Sequence, residues 1–359
     1  MMTMCRQTPS HAKRSHLSFR PHIRDSAQRN IERWFAIVSY LLRRLFALVT
    51  TVLAVISLVF VLLRLSPGSP LYTLLGFSYS EEGRAAVAER LGLNASIPEQ
   101  YVRYLRQLVG GDLGASVFSG QPVGELLAQR LPVSLELGLV AGAVWMALGI
   151  LAGALAALWH GSPFDGLVRV TSVVALSVPS FWLGLVCVLV FGVYITGVLP
   201  VSGYVPISEG LPEHLRGLVL PAFVLGLPAF AVVARTFRGS VLEVLDRDYV
   251  SFATSMGMSR RALLARVALR NAAIPLVTVM GLMLGMLVSG AILVENVFGV
   301  PGLGQLMVDS FRRQDYPVAA GCCLAVAVLY LLTNLLVDLA QLAIDPRIRE
   351  GVLNGGRVR

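Results

Sequence analysis

The sequence predicts an all-α polytopic membrane protein with six transmembrane helices, and three observations support this fold class. Hydrophobic residues make up 55% of the 359 residues, charged residues only 14%, and the mean hydropathy is +0.71. These values are typical of chains that lie in a bilayer. Apolar runs of the length needed to cross a bilayer recur along the chain. Inside a bilayer the backbone polar groups have to be satisfied within each segment, so we expect the runs to be helices.

The first apolar run belongs to an anchor predicted over residues 34–64. It follows Arg43 and Arg44 and has no small-residue cleavage site, so we expect an uncleaved helix with a cytosolic N-terminus. Residues 1–33 are polar and basic without an apolar run, which predicts a disordered cytosolic tail. Residues 65–130 combine turn signals with balanced charges and are expected to form an external soluble segment.

A core of five further spans is predicted over residues 131–344. The predicted spans are approximately 132–159, 170–199, 218–233, 273–294 and 317–344. Pro132 is expected at the first helical position of its span, and Ser162 with Asp165 predicts a capping box after a short inner turn. The arginine-rich tail, residues 345–359, is then cytosolic, and six spans satisfy the charge bias of every loop.

Residues within the spans suggest how the helices pack and move. Three glycine pairs stand at the spacing that lets helices approach closely, namely Gly138 and Gly142, Gly149 and Gly153, and Gly281 and Gly285. Pro179 and Pro228 are expected to kink the third and fourth spans. Polar side chains in spans are candidate functional groups because they are costly there; they are Glu136, Glu295, Asn296, Asn334 and Asp338. For each of them a structural role, such as capping or a contact with a partner chain, is an equal alternative.

A polar and basic break, Asp248–Pro275, separates two of the spans. Asp248 is a suitable N-cap of a short helix, and Gly257 can take the left-handed conformation that ends it. Four residues fall on one face of this helix, namely Tyr249, Phe252, Ala253 and Met256. A second helix is predicted from Ser259, with Leu263, Leu264 and Val267 as its apolar stripe. The strong arginine excess places the loop in the cytosol. It is either a docking hairpin or simply a basic cytoplasmic loop.

The sequence carries no pattern for catalysis, metal binding or nucleic-acid binding. Lys13 is the single lysine, so the chain has no Walker A motif and no P-loop lysine. There is no H-E-x-x-H, Cys-x-x-Cys or G-x-S-x-G motif. The net charge of +9 lies in the tails, in loops and at span ends, where membrane topology explains it better than nucleic acid does. We therefore expect neither an enzyme nor a metal site.

The basic break resembles the EAA loop of type I ABC-transporter permeases. The resemblance rests on Ala253, on Gly257 after three intervening residues, and on Arg270, Asn271, Ala272 and Pro275. Further strings, covering roughly residues 40–349, are similar to the dipeptide and oligopeptide permease branch. They include Gly111-Asp112-Leu113-Gly114, Val178-Pro179-Ser180-Phe181-Trp182, Pro301-Gly302-Leu303-Gly304, Asp315-Tyr316-Pro317 and Asp345-Pro346-Arg347.

This resemblance implies a permease subunit that forms half of a path for di- or oligopeptides across the bacterial plasma (inner) membrane. The implied partners are a second homologous permease, two ATP-binding-cassette ATPases that carry the ATP and Mg²⁺, and an external solute-binding lipoprotein, so this chain itself binds no cofactor. The coupling loop is residues 246–271, with contacts at Asp248, Tyr249, Phe252, Ala253, Met256, Gly257 and Arg260. Pro179 and Glu295 are candidates for the path. Nickel chelates or glutathione as substrate, a secondary carrier, and a membrane anchor or sensor without transport are the alternatives.

Overall fold

The computed structural model describes residues 22–65, 95–259 and 269–344, and these residues are almost entirely helical. The helices are α1 (His22–Leu65), α2 (Ile97–Val109), α3 (Val123–Leu158), α4 (Pro163–Ser177), α5 (Ser180–Leu189), α6 (Leu211–Leu245), α7 (Asp248–Ser255), α8 (Leu269–Phe298), α9 (Leu303–Arg313) and α10 (Tyr316–Ile344). A π-helical turn, Val190–Tyr194, extends α5. Within the described ranges the β-structure is limited to one isolated bridge, between Ala115 and Pro122.

The described residues contain five helices that are long and apolar enough to cross a membrane, which confirms an all-α polytopic membrane fold. They lie in α1, α3, α6, α8 and α10, and the bent pair of α4 and α5 makes a sixth if it is counted as one span. The location of the termini and of residues 65–130 relative to the membrane stays a prediction.

Two predicted boundaries differ from the structure near the N-terminal end. Helix α1 already begins at His22, so residues 22–33 of the expected disordered tail are helical; this stretch is rich in the helix formers Arg, Gln, Glu and Ala. Helix α3 begins at Val123 after Pro122, so the segment between the first two spans ends before residue 130. Pro132 therefore lies inside α3 and not at its first position, a placement that membrane helices tolerate because their surroundings satisfy the freed carbonyl.

The third predicted span is not one continuous helix. Helices α4 and α5 meet at an angle of 101° at Val178 and Pro179. Val178 has the extended backbone, φ −90° and ψ 123°, that a following proline imposes. Pro179 therefore breaks the span, as expected of a proline kink. The fourth span behaves differently, because α6 continues as one helix through both Pro221 and Pro228; Pro228 does not interrupt it.

Helix α6 is the centre of the bundle, and small residues let its neighbours approach. A Cβ atom added at Gly153 of α3 would lie 2.5 Å from the carbonyl oxygen of Ala234, and one at Gly149 would lie 2.9 Å from that of Phe230. A Cβ atom added at Gly142 of α3 would likewise lie 2.9 Å from the side chain of Leu287 on α8. These are the close helix crossings that small residues permit.

The third glycine pair allows α8 and α10 to approach closely, whereas the contact predicted at Gly138 is absent. Added Cβ atoms at Gly281 and Gly285 would meet Val337 and Tyr330 of α10 at 2.0 and 3.0 Å. Gly138, in contrast, has no atom within 4 Å of its added Cβ. The prediction of a packing contact at Gly138 is therefore wrong, because this face of α3 borders a cavity.

The segment between the first two spans packs against the C-terminal part of α1. The ring of Phe60 lies 5.2 Å from that of Tyr101 and 5.8 Å from that of Tyr104, and Tyr101 Oη lies 2.5 Å from Ser57 Oγ. Asp315, just before α10, accepts hydrogen bonds from Ser116 Oγ at 2.6 Å and the Val117 N–H at 3.2 Å. These contacts attach the loop around α2 to α1 and α10.

Candidate functional site

The short helix α7 follows α6 after a tight turn and begins one residue earlier than its predicted cap implies. Arg247 takes the extended N-cap conformation, with φ −80° and ψ 144°, and Asp248 is the first helical residue. The prediction that Asp248 is the N-cap is therefore wrong. Asp248 instead lies in the first turn, where a carboxylate interacts favourably with the helix dipole. Arg247 donates a hydrogen bond back to Glu243 of α6.

Helix α7 ends as the sequence predicts, in a left-handed glycine. Gly257 has φ +83°. Its N–H donates to the carbonyl of Thr254 at 3.0 Å, and the N–H of Met258 donates to that of Ala253 at 3.1 Å. This pair of bonds is the Schellman motif, which satisfies carbonyls that the helix end would otherwise leave open. The direction in which the chain leaves α7 thus depends on one glycine.

One face of α7 is apolar and exposed. Tyr249, Phe252 and Met256 are 46%, 67% and 74% exposed, and Ala253 beside them is partly buried. Val250, the buried residue of this helix, is 6% exposed and shows which side of the helix faces the rest of the chain. Contiguous exposed apolar groups often mark a site for a partner. The three large apolar side chains on this short helix are therefore a candidate interaction surface.

Part of the predicted coupling loop lies outside the described residues. This is the case for Arg260 and for the second predicted helix with Leu263, Leu264 and Val267. The chain is described again from Leu269, where α8 begins, a few residues before the predicted start of the fifth span. The described part of the coupling site is therefore residues 246–259 and 269–271.

Glu295, the first candidate for the path, is fully buried and holds the start of α9. Its Oε2 accepts from the N–H groups of Gly304 at 2.7 Å and Gln305 at 3.3 Å. Its Oε1 accepts from Ser134 Oγ at 2.6 Å, and Ser134 Oγ accepts in turn from the Leu303 N–H at 2.7 Å. A carboxylate at a helix N-terminus is stabilising. The carboxyl group thus joins α3, α8 and α9.

The same region contains a cavity of about 550 Å³ between α3, α8 and α10. Its wall is almost entirely apolar, and its polar side chains are Ser134, Glu295 and Thr333. Pro179, the second path candidate, is exposed at the break between α4 and α5 and does not line this cavity. The structure therefore does not bring the two path candidates together in one cavity.

Three of the other polar span residues, Glu136, Asn296 and Asp338, also have partners. Glu136 binds Nε2 of the buried His214 at 2.8 Å and accepts from Tyr204 Oη at 2.6 Å. Burial, together with the Glu136 carboxylate, raises the pKa of Tyr204 to about 12. Asn296 donates to the Ile292 carbonyl at 2.8 Å, and Asp338 pairs with Arg44 of α1.

Sequence reasoning missed one group, at the inner turn between α3 and α4. The first half of the predicted capping box is present, because Ser162 Oγ accepts from the Asp165 N–H at 3.2 Å. The second half differs: the Asp165 carboxylate accepts from the Gly161 N–H at 3.1 Å and from Arg238 of α6. The local sequence around Asp165 predicts a helix cap but does not indicate that Arg238 of another helix binds it.

Comparison with known proteins identifies the family. The family described as binding-protein-dependent transport system inner membrane component matches residues 149–350, and the N-terminal family of such membrane components matches residues 37–138. A probable peptide ABC transporter permease protein of Sinorhizobium fredii is 40% identical over 310 residues, which are 86% of this chain and 99% of the relative.

Two further relatives are named for small peptides. The di/tripeptide transport system permease protein DppB of Pseudomonas aeruginosa is 37% identical, and the dipeptide transport system permease protein DppB of Escherichia coli K12 is 36% identical; each alignment covers 87% of this chain and 99% of the relative. A solved chain of the inward-facing MetNI methionine ABC transporter overlaps 63% of this chain and 96% of its own, at 19% identity and a TM-score of 0.44. The chain belongs to the family of binding-protein-dependent transport system inner membrane components, as a permease of the peptide ABC transporter branch.

Proposed function

We propose that this chain forms one half of the path through which an ATP-driven importer moves di- or oligopeptides across the bacterial inner membrane. A second, homologous permease forms the other half. Two ATP-binding-cassette ATPases dock on the cytosolic side and carry the ATP and Mg²⁺, and an external solute-binding lipoprotein delivers the peptide. The relatives that cover nearly the whole chain are named peptide, di/tripeptide and dipeptide permeases, which supports peptides over nickel chelates or glutathione.

The observation that carries this proposal is the exposed apolar face of α7. Tyr249, Phe252 and Met256 lie in a loop that the arginine excess assigns to the cytosol, where no lipid tails cover them. Burial of large aromatic and methionine side chains is a common source of affinity at interfaces. A cleft on a cytosolic ATPase fits this face, and the left-handed Gly257 sets the angle at which the chain leaves the cleft.

Movement of α7 then passes to the path through α6, to which α7 is joined by a two-residue turn. ATP-driven closure of the ATPase pair displaces the two docked helices as rigid bodies and exposes the path alternately to each side. The apolar cavity between α3, α8 and α10 is a candidate stretch of the path wall. Its lack of a free charged side chain suits a carrier whose selectivity resides in the binding protein.

The proposal is tested by purifying the tagged chain in gentle detergent and identifying every co-purifying subunit. With the wild type we expect recovery of a second permease and an ATPase. With Phe252→Asp we expect the second permease to be recovered and the ATPase to be lost, because a charge replaces the more exposed of the two aromatic side chains on the α7 face. Phe311→Asp is the matched control, since Phe311 is 44% exposed on α9, away from the coupling loop. It should retain the ATPase.

Two results contradict the proposal. One is recovery of the wild-type chain alone, folded and at normal abundance. The other is wild-type recovery of the ATPase with Phe252→Asp. Uptake that follows a proton gradient and ignores ATP would favour the secondary-carrier alternative.

A further inference from the structure

A buried ion pair joins the inner turn between α3 and α4 to the last part of α6. Arg238 Nε lies 2.5 Å from Asp165 Oδ1, and Arg238 Nη2 lies 2.8 Å from Oδ2. Asp165 has no exposed surface, and the Arg238 side chain is 16% exposed. The fork geometry, with two parallel bonds, gives both strength and orientation. His160 Nδ1 lies 3.1 Å from Arg238 Nη2, and Arg169 approaches Asp165 more distantly, at 3.8 Å.

The residues around this ion pair pack α3, α4 and α6 tightly against one another. Directly beside it, Ala156 of α3, Val168 of α4 and Ala234 of α6 form a fully buried apolar cluster. Gly153 brings the backbone of α3 against the Ala234 carbonyl. Close packing of this kind does not deform gradually, so a displacement of α6 moves the inner turn with it as long as the ion pair holds.

The position of the pair along the chain gives it a mechanical role. Arg238 lies on α6 shortly before α7, whose apolar face is the docking surface of the proposed function. Asp165 lies in the first turn of α4, the helix that ends at the 101° break at Val178 and Pro179. The pair thus connects α6, which leads into α7, with the first half of the broken span.

We propose that Asp165 and Arg238 are positioning residues for coupling: their ion pair makes the inner end of α4 follow α6 when the ATPase moves α7. This inference rests on the proposed function. An ion pair that only stabilised the fold would affect abundance and assembly, whereas a coupling pair also sets how much transport each ATP drives.

A matched control pair lies where α6 passes into α7. Arg247 and Glu243 form an ion pair within four residues of each other, with side chains 58% and 69% exposed. Exposed pairs of this kind contribute little, and this one lies between the end of α6 and the start of α7 without involving α4. Glu243→Gln removes one carboxylate near the coupling helix, as Asp165→Asn does, without breaking a contact between α4 and α6.

The experiment uses the complete importer complex, reconstituted with its binding protein and supplied with labelled dialanine as the probe. The readout is the number of ATP molecules hydrolysed per dialanine taken up, measured on complexes that contain all subunits. We expect Asp165→Asn to raise this ratio by about fivefold or more, the range of a typical coupling between two sites. Glu243→Gln should leave the ratio unchanged.

A wild-type ratio in an assembled Asp165→Asn complex overturns the inference. Where this variant leaves the Arg238 charge unpaired and does not assemble, the double variant Asp165→Leu with Arg238→Met decides, because two apolar side chains of similar volume remove the polar connection without leaving a buried charge. A raised ratio in that complex supports the coupling role, and a wild-type ratio overturns it. Failure of the proposed function looks different, since the wild-type complex itself would then show no ATP-dependent dialanine uptake.

Discussion

Replacing Gly257 tests whether the conformation at the end of α7 controls coupling. Its φ of +83° lies in the left-handed region, and an added Cβ would meet no atom within 4 Å. The cost of a side chain here is therefore conformational and not a clash. For a β-branched residue held at such an angle the strain is about 2 kcal/mol.

That strain is large for an eight-residue helix. A change of 1.4 kcal/mol alters a population by about tenfold, so Gly257→Val should reduce the population with the native helix end by more than that factor. The alternative backbone breaks the bonds from Gly257 to Thr254 and from Met258 to Ala253. The chain then leaves the docked helix α7 in a different direction. Movement of α7 is no longer passed on to the path, and ATP hydrolysis no longer drives transport.

The assay measures dialanine uptake and ATP hydrolysis in the reconstituted complex, together with the amount of chain in the membrane. We expect Gly257→Val to keep normal abundance and retain ATP hydrolysis, while uptake falls by more than about tenfold. Gly257→Asn is the control, because asparagine tolerates the left-handed conformation at helix ends, and it should keep most of the uptake. Normal uptake with valine, or an equal loss with asparagine, would refute the conformational explanation.

Two further substitutions test the packing on which the site depends. Glu295→Ala leaves the N–H groups at the start of α9 and the Ser134 hydroxyl without their acceptor, so the detergent-solubilised chain should lose about 3 kcal/mol of stability, seen as a lower Tm; an unchanged Tm would show that other groups cap α9. Gly153→Val should abolish accumulation of the chain, because its Cβ would sit 2.5 Å from the Ala234 carbonyl, whereas Gly138→Val, which points into open space, should accumulate normally; equal yields would contradict the crossing of α3 and α6.

The local features of the coupling helix could be predicted from the sequence, and its surroundings could not. The apolar face and the left-handed stop at Gly257 follow from residue types a few positions apart, and the structure contains both. The N-cap was wrong by one residue, because Arg247 takes the extended conformation although its side chain makes no cap bond. Boundaries of this kind depend on how the preceding helix α6 ends.

The partners of the polar residues in the spans, in contrast, could not be predicted from the sequence. Glu295 was a candidate for the path because a carboxylate in a span is costly, and the structure places it on the backbone of Gly304 and Gln305 and on Ser134. The sequence predicts a capping box for Asp165 with Ser162, and the structure adds a partner on α6, Arg238. The pattern of one segment contains no information about which distant segment comes next to it.

By itself, the sequence determined the membrane class, the helical content, the approximate spans and the short exposed helix between two of them. These properties follow from run lengths, hydropathy and the backbone preferences of single residues, all of which act locally. Only the tertiary structure decided the angle of 101° at the break of the third span, the cavity beside Gly138 and the pairing of Asp165 with Arg238. The physical reason is that burial, close packing and ion pairing depend on residues that are far apart in the chain and meet only when the helices assemble.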